Sequence, residues 1–153
     1  MEQKKNINWS KLGLIGIIAI IIIAIIVNTG EKRGYSQKET ITYNNTEYSI
    51  KKVEKDDENI IVTIKIKNIG NEPLSYSDIN FYMLNQKGDF VKKKPLVFDD
   101  GTILPNGKLE PNEEVEGSII WLQDKKHKSL RIRYYKNILT SEIDDYEFEW
   151  SLD

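Results

Sequence analysis

A stretch of sixteen residues, from Leu12 to Val27, contains no charged and no hydrogen-bonding side chain. A helix rises about 1.5 Å per residue, so roughly 20 mostly apolar residues cross a bilayer core. Trp9 on one side and Asn28 on the other extend the span into the interface, where indole rings are favoured. A buried helix of a soluble protein usually keeps a polar stripe, which this stretch lacks. The sequence therefore predicts one transmembrane signal anchor at residues 12–28.

The charges around this segment predict its orientation. Lys4, Lys5 and Lys11 precede it, and a short basic tail usually stays in the cytoplasm. We therefore expect residues 1–11 to be a cytoplasmic tail, residues 12–28 to contact membrane lipid, and the C-terminal part to be extracytoplasmic. The same features also suit a cleaved signal peptide. Cleavage is the less favoured alternative, because Val27-Asn28-Thr29 is a weak cleavage site and the chain has no cysteine for lipoprotein processing.

Composition limits what the rest of the chain can be. Residues 1–33 hold five of the 22 basic and two of the 24 acidic residues, so the remaining 120 residues carry a formal charge of −5. An acidic balance argues against nucleic-acid binding. The absence of cysteine excludes disulfides and cysteine chemistry. Residues 29–40 are polar and predict a tether, and residues 41–153 are long enough for one extracytoplasmic domain with its own core.

Alternating apolar residues predict strands in this domain. The clearest run is Ile60 to Ile69, in which every second residue from Ile60 to Ile66 is apolar, so one face is buried and the other is wet. This run and further alternating runs predict core positions at Ile64, Ile79, Phe81, Met83, Ile119, Trp121 and Trp150. About seven short strands, with turn residues between them and no long helix, predict an all-β, immunoglobulin-like antiparallel sandwich.

The last two strands carry opposite charges on one face. Arg131 and Arg133 alternate with apolar residues on one strand, and Glu147 and Glu149 do so on the other. If the strands are antiparallel neighbours, these charges lie across from each other. The expected pairs are Arg133 with Glu147 and Arg131 with Glu149.

Three segments in this order resemble a known family. Residues 60–73 read IIVTIKIKNIGNEP, residues 78–88 read DINFYMLNQKG, and residues 109–117 read LEPNEEVEG. They resemble the V-x-V-x-V-x-N-x-G-x-x-P, F-x-L-x-D-x-x-G and L-x-P-G-E-x-x-x-G segments of the DUF4352 family, which are immunoglobulin-like domains of exported bacterial proteins related to telokin-like and MPT63-type sandwiches. Asn112 stands where the family has glycine, and Asn85 where it has an acid. The resemblance implies a fold and an exported location, and no reaction.

Residue types that perform chemistry are scarce. His127 is the only histidine, and it lies in a lysine-rich loop. The acidic runs at 56–58, 99–100 and 144–145 lack the spacing of a calcium loop, and hydrolase, zinc-protease and phosphate-loop motifs do not occur. The sequence therefore predicts no catalytic residue, no metal site and no cofactor. The lysine runs at 92–94 and 125–128 suit either solvated edges or contact with anionic polymer.

The best candidate for a partner contact lies in the long connection from Pro95 to Pro111. This stretch lacks strand alternation, and connections of that length are often functional. It carries Phe98 beside Asp99, an apolar side chain with no strand face to bury it. We therefore expect a noncatalytic binding or interaction module whose partner is a surface protein or a cell-wall component. An accessory or regulatory subunit of a membrane complex is the alternative, and an enzyme is the least favoured reading.

Overall fold

The computed structural model describes residues 34–95, 102–123, 129–137 and 145–152, and these form a β-sandwich. The all-β prediction is confirmed. Across these four ranges, no helix is both long and apolar enough to cross a bilayer. The predicted anchor at residues 12–28 and the tail before it lie outside the described residues.

Two main sheets and one small ribbon make up the described part. The strands are β1 Gly34–Ser36, β2 Ile41–Tyr43, β3 Thr46–Lys55, β4 Asn59–Asn68, β5 Leu74–Tyr76, β6 Phe81–Leu84, β7 Phe90–Val91, β8 Gly107–Leu109, β9 Glu114–Leu122, β10 Arg131–Tyr134 and β11 Phe148–Ser151. The five-stranded sheet has the order β1-β11-β10-β6-β7, the four-stranded sheet has the order β2-β3-β4-β9, and β5 pairs with β8.

The core forms where the inner faces of the two main sheets meet. Strand β4 lies between β3 and β9, and its alternating apolar side chains are all fully buried. Trp121 on β9 and Trp150 on β11 are fully buried as well. The predicted core residues Ile64, Phe81 and Ile119 are also buried, so the alternation identified these faces correctly.

Two described segments, residues 92–94 and 102–104, cover the free edge of β9. Lys94 N–H donates to the Ile120 carbonyl, and the Leu104 and Ser118 amides bond across the same edge. A Cβ atom at Gly117 would lie 2.4 Å from the Leu104 Cα atom, so this close approach requires glycine. The long connection from Pro95 to Pro111 also contains β8, so only part of it is irregular. An edge covered in this way cannot pair with another chain.

Two segments differ from their sequence-based assignment. Residues 34–36, placed in the tether, form β1, which pairs in parallel with β11. Ile79, expected to point inward on a strand, is 54% exposed and lies in a short 3-10 helix at Asp78–Asn80. The Ser77 hydroxyl accepts a hydrogen bond from the Ile79 amide at 3.2 Å, and this cap turns the chain before β6 begins.

The charged pairs on β10 and β11 form in a different register. The strands are antiparallel neighbours as predicted, but Arg133 lies opposite Glu149. Its Nε atom is 2.5 Å from a Glu149 carboxylate oxygen, and Arg131 approaches the other oxygen at 3.6 Å. The predicted Arg133–Glu147 pair is therefore wrong, because the strands pair two residues away from the assumed register. The predicted ion pair of Arg131 with Glu149 is present, as a diagonal contact. Arg133 and Glu149 are also buried, although they lie on the outer face.

Candidate functional site

Polar side chains of the family-like segments hold turns together by hydrogen bonds. Asn68 is 2% exposed at the end of β4. Its side-chain amide donates to the carbonyls of Glu72 at 2.8 Å and Leu109 at 3.1 Å, and its Oδ1 accepts from the Gly70 amide at 2.9 Å. One side chain therefore satisfies three backbone groups of two separate segments.

The two residues that depart from the family pattern, Asn85 and Asn112, both lie in turns whose backbone they support. Asn85 Oδ1 accepts from the amides of Lys87 at 2.8 Å and Asp89 at 3.0 Å, as a carboxylate would in this turn. Asn112 has a φ of 68°, the left-handed region in which asparagine replaces glycine at small cost. Beside it, the Glu113 carboxylate accepts from the Glu110 amide at 2.8 Å. Asn112 therefore adopts a backbone conformation that glycine also adopts in turns.

A cleft opens between the two main sheets at the end of the sandwich where Asn68 lies. Its volume is about 420 Å³, which is within the usual range for ligand sites. We call it the tyrosine cleft, because four of its lining residues are tyrosines from four different strands. The residues that line it are Tyr43, Asn44, Thr46, Tyr48, Leu74, Ser75, Tyr76, Ser77, Asn80, Tyr134 and Lys136.

Packing beneath the cleft fixes its aromatic rings. Tyr134 stacks on Phe148 at a centroid distance of 4.9 Å, and Tyr48 contacts Tyr134 at 5.1 Å. Tyr76 packs over Gly107 on the paired strand β8. A Cβ atom added to Gly107 would lie 2.9 Å from the Tyr76 hydroxyl oxygen. The cleft is therefore preorganised by its own core contacts.

Three tyrosine hydroxyls of the cleft, those of Tyr43, Tyr48 and Tyr134, have a raised pKa and stay protonated well above neutral pH. Burial raises the pKa of Tyr48, and the hydrogen bond to Tyr134 raises it further. Burial also raises the pKa of Tyr43, with the Glu147 carboxylate as its hydrogen-bond partner. Tyr134 shifts in the same direction because it is buried. Neutral hydroxyls can both donate and accept hydrogen bonds, so they suit binding better than nucleophilic or acid–base chemistry.

The residues singled out from sequence either fall outside the described residues or have structural roles. Phe98, Asp99 and His127 fall outside the described residues, and the contact role of the first two stays a prediction. Asp56 holds a turn, accepting from the Glu58 amide at 2.8 Å and the Asn59 amide at 2.7 Å. Within the part of the chain that the structure describes, no three acidic or histidine side chains are placed to hold a metal ion.

The lysine run at 92–94 is not uniformly solvated. Lys93 is half-buried, bonds to the Asp78 backbone carbonyl, and lies 3.2 Å from the Asp78 carboxylate. Burial lowers the pKa of Lys93, and the nearby carboxylate opposes that shift. Lys94 donates to the Asn59 side chain at 2.9 Å. At least two of these lysines therefore act within the fold.

Comparison with protein families agrees with this geometry. The model of the domain of unknown function DUF4352 matches residues 26–144. The chain belongs to the DUF4352 family. The resemblance carried by the Asn68, Asn85 and Gly117 segments is thereby confirmed. No curated protein sequence matches the chain.

Solved structures similar to this DUF4352 protein confirm the fold. YjhA from Bacillus subtilis is 22% identical with a TM-score of 0.63, and the match covers 78% of this chain and 99% of that one. The predicted lipoprotein YcdA from the same organism is 18% identical with a TM-score of 0.61, covering 78% of this chain and 39% of that one. The secreted protein MPT63 from Mycobacterium tuberculosis is 7% identical with a TM-score of 0.61, covering 79% and 98%.

Proposed function

We propose that this DUF4352 protein is a noncatalytic binding module, anchored in the membrane by residues 12–28, that contacts its partner through the tyrosine cleft outside the cytoplasm. The observation that carries the proposal is the lining of the cleft. Tyrosine, serine and asparagine are the residues that antibody loops use for recognition, because tyrosine gives rigid contact area and the others adapt their hydrogen bonds.

The proposed location has two supports. The apolar run at 12–27 is a little shorter than a typical membrane span, and Asn28 extends it into the interface. Lysines precede it on the side proposed to be cytoplasmic. Among proteins of similar fold, MPT63 is described as secreted and YcdA as a predicted lipoprotein. Proteinase added to protoplasts should digest the chain after about residue 34 and leave the tail before Leu12 intact. Mature protein that begins near Gly30 would instead identify a cleaved signal peptide.

Site-directed photocrosslinking on intact cells tests the contact role. A photoreactive residue at Ser75, an exposed position on the rim of the cleft, should give an adduct with a surface protein or a cell-wall component. The same residue at Lys52, whose side chain is 62% exposed and lies outside the cleft, should not. Equal adducts at both positions, or none at Ser75, would refute the cleft as the contact site.

Two further proposals stand beside the cleft. Phe98 and Asp99 form a second proposed contact, which a photoreactive residue at position 98 tests in the same experiment. The alternative function, an accessory or regulatory subunit of a membrane complex, predicts that the protein is degraded when its crosslinked partner is deleted. A free surface module should keep its steady-state level.

A further inference from the structure

The tyrosine cleft carries little net charge. Lys136, which is exposed, is the one charged residue among the described residues that line it, and the Glu147 carboxylate bonds to the hydroxyl of the cleft residue Tyr43. The floor of the cleft is formed by Tyr48 and Tyr134, which are buried or half-buried. Placing an ion against such a floor would cost desolvation free energy, and the opposite charges of Lys136 and Glu147 offset each other, so neither a cation nor an anion gains a strong net attraction. The cleft therefore favours a neutral ligand.

The remaining lining combines aromatic rings with groups that both donate and accept hydrogen bonds. The hydroxyl of Ser75, the tyrosine hydroxyls and the amide of Asn44 belong to this class. A proline-rich peptide presents mainly carbonyl acceptors and would leave the donor–acceptor character unused. A pyranose ring carries hydroxyls that donate and accept on its edge and C–H groups on its face.

Aromatic faces complement the C–H face of such a ring. The π system of tyrosine has a negative face, which attracts C–H groups that carry partial positive charge. Tyr43 and Tyr76 are half-buried cleft residues and so keep part of their surface accessible to a ligand. The volume of about 420 Å³ accommodates a short ligand segment.

We propose that the tyrosine cleft binds a neutral glycan segment through its aromatic rings and hydroxyl groups. This inference rests on the proposed function, since it names the class of ligand for the same site. Ring stacking on Tyr43 and Tyr76 supplies the apolar contact, and Ser75 and Asn44 at the rim bond to the sugar hydroxyls.

Calorimetric titration of the full chain tests this inference. The protein is held in a detergent without a sugar headgroup and titrated separately with the tetrasaccharides of β-1,4-linked N-acetylglucosamine, β-1,4-linked glucose and α-1,4-linked glucose. At least one should bind with saturation. Tyr76→Ala should weaken binding by about tenfold or more, whereas Tyr82→Ala should leave it within about twofold. Tyr82 is a half-buried tyrosine on the outer face of the five-stranded sheet, so it controls for loss of a ring.

A second pair of variants keeps the test decisive if Tyr76→Ala fails to fold. Ser75→Trp fills the rim from an exposed position and should abolish binding, and Lys52→Trp outside the cleft should not. Failure of all three sugars to bind, or equal binding by Ser75→Trp and the unchanged chain, overturns the glycan inference. Binding of decaproline in the cleft overturns it as well. In each case a Ser75 photocrosslink would still support the proposed function, so the two failures are distinguishable.

Discussion

Asn68 shows how a residue of the family-like motif can have a structural role. Its side chain closes three backbone hydrogen bonds, to Glu72, Leu109 and Gly70, at a buried corner between β4 and the turn before β9. Backbone groups buried without partners are costly, so a side chain that satisfies three of them is hard to replace. The family-like motif therefore specifies a corner of the sandwich.

Replacing Asn68 with alanine should destabilise the domain strongly. Each backbone group left unpaired costs about 1–3 kcal/mol, so the variant should lose at least about 2 kcal/mol. Thermal unfolding of the full chain should show a melting temperature lower by several degrees per kcal/mol. Asn71→Ala, at an exposed position in the same turn, is the matched control and should melt like the unchanged chain. Equal melting of the two variants would contradict the role assigned to Asn68.

The buried pair of Arg133 and Glu149 should behave differently from the neighbouring contact with Arg131. Removing one member of a buried ion pair leaves an uncompensated charge and costs about 3–5 kcal/mol. Arg133 also lies 4.1 Å from the Tyr146 ring, which its guanidinium contacts face-on. We therefore expect Arg133→Ala to lower the melting temperature sharply. Arg131 is 30% exposed, and Arg131→Ala should cost about 1 kcal/mol or less. Similar losses in both variants would mean that the burial of Arg133 has no energetic consequence.

At the scale of the element, β9 is a long strand whose free edge is protected by the chain itself. The segments on either side of the 96–101 stretch bond to it, at Lys94 and at Leu104. Gly117 makes the second approach possible, because any side chain there would meet the Leu104 backbone. Part of the stretch that the sequence predicts to be an irregular connection is therefore an edge cover, and its close approach explains the glycine in the middle of β9.

Substituting Gly117 with alanine should detach this cover. The added Cβ atom would lie 2.4 Å from the Leu104 Cα atom, so the backbone must move. We expect a loss of about 1–3 kcal/mol, as for other overpacked sites. Hydrogen exchange should accelerate at the Leu104 and Ser118 amides, which bond across this edge. Gly34→Ala, where an added Cβ atom would meet nothing within 4 Å, should leave exchange unchanged. Unaltered protection in Gly117→Ala would refute the cover.

Strands with strict alternation could be predicted from sequence, and short or capped elements could not. β4 and β9 alternate over nine or ten residues, and their buried faces follow directly. β1 has only three residues, Gly-Tyr-Ser, and exists because β11 offers it a partner. The sequence predicts a strand at Ile79 because Ile79, Phe81 and Met83 alternate with polar residues or tyrosine. The Ser77 cap, which turns the chain at this point, does not change that alternation. The register of β10 against β11 depends on the connection between them, which the alternation does not encode.

The tyrosine cleft was beyond sequence reasoning for a related reason. Its four tyrosines come from β2, β3, β5 and β10, so no single segment carries a motif. Each one reads as an ordinary strand aromatic, which most often packs in the core. Only the meeting of strand ends at one end of the sandwich places them together. A tyrosine at or near the end of several strands is the one signal that could have suggested the site.

At the scale of the whole molecule, the buried tyrosine hydroxyls link the stability of the sandwich to alkaline pH. In the unfolded chain a tyrosine loses its proton near pH 10. In the folded domain burial raises the pKa of Tyr48, and also that of Tyr43 and Tyr134. Above pH about 10 the unfolded chain therefore binds fewer protons than the folded one, and the free energy of unfolding falls as the pH rises. Below that pH this contribution to stability is complete.

Melting temperatures measured from pH 8 to pH 12 should show this decline, which starts near pH 10 and steepens above it. Tyrosinate absorbance near 295 nm should rise in two stages. The first comes from tyrosines that ionise in the folded protein, and the second coincides with unfolding and includes Tyr48. Tyr48→Phe has no proton to lose at this position, so its stability should fall less steeply above pH 10, although it also lacks the bond to Tyr134. Two outcomes would contradict this assignment. The melting temperature of Tyr48→Phe could fall as steeply as that of the unchanged chain, or all tyrosines could ionise before the protein unfolds. Either result would mean that burial does not keep the Tyr48 hydroxyl protonated in the folded domain.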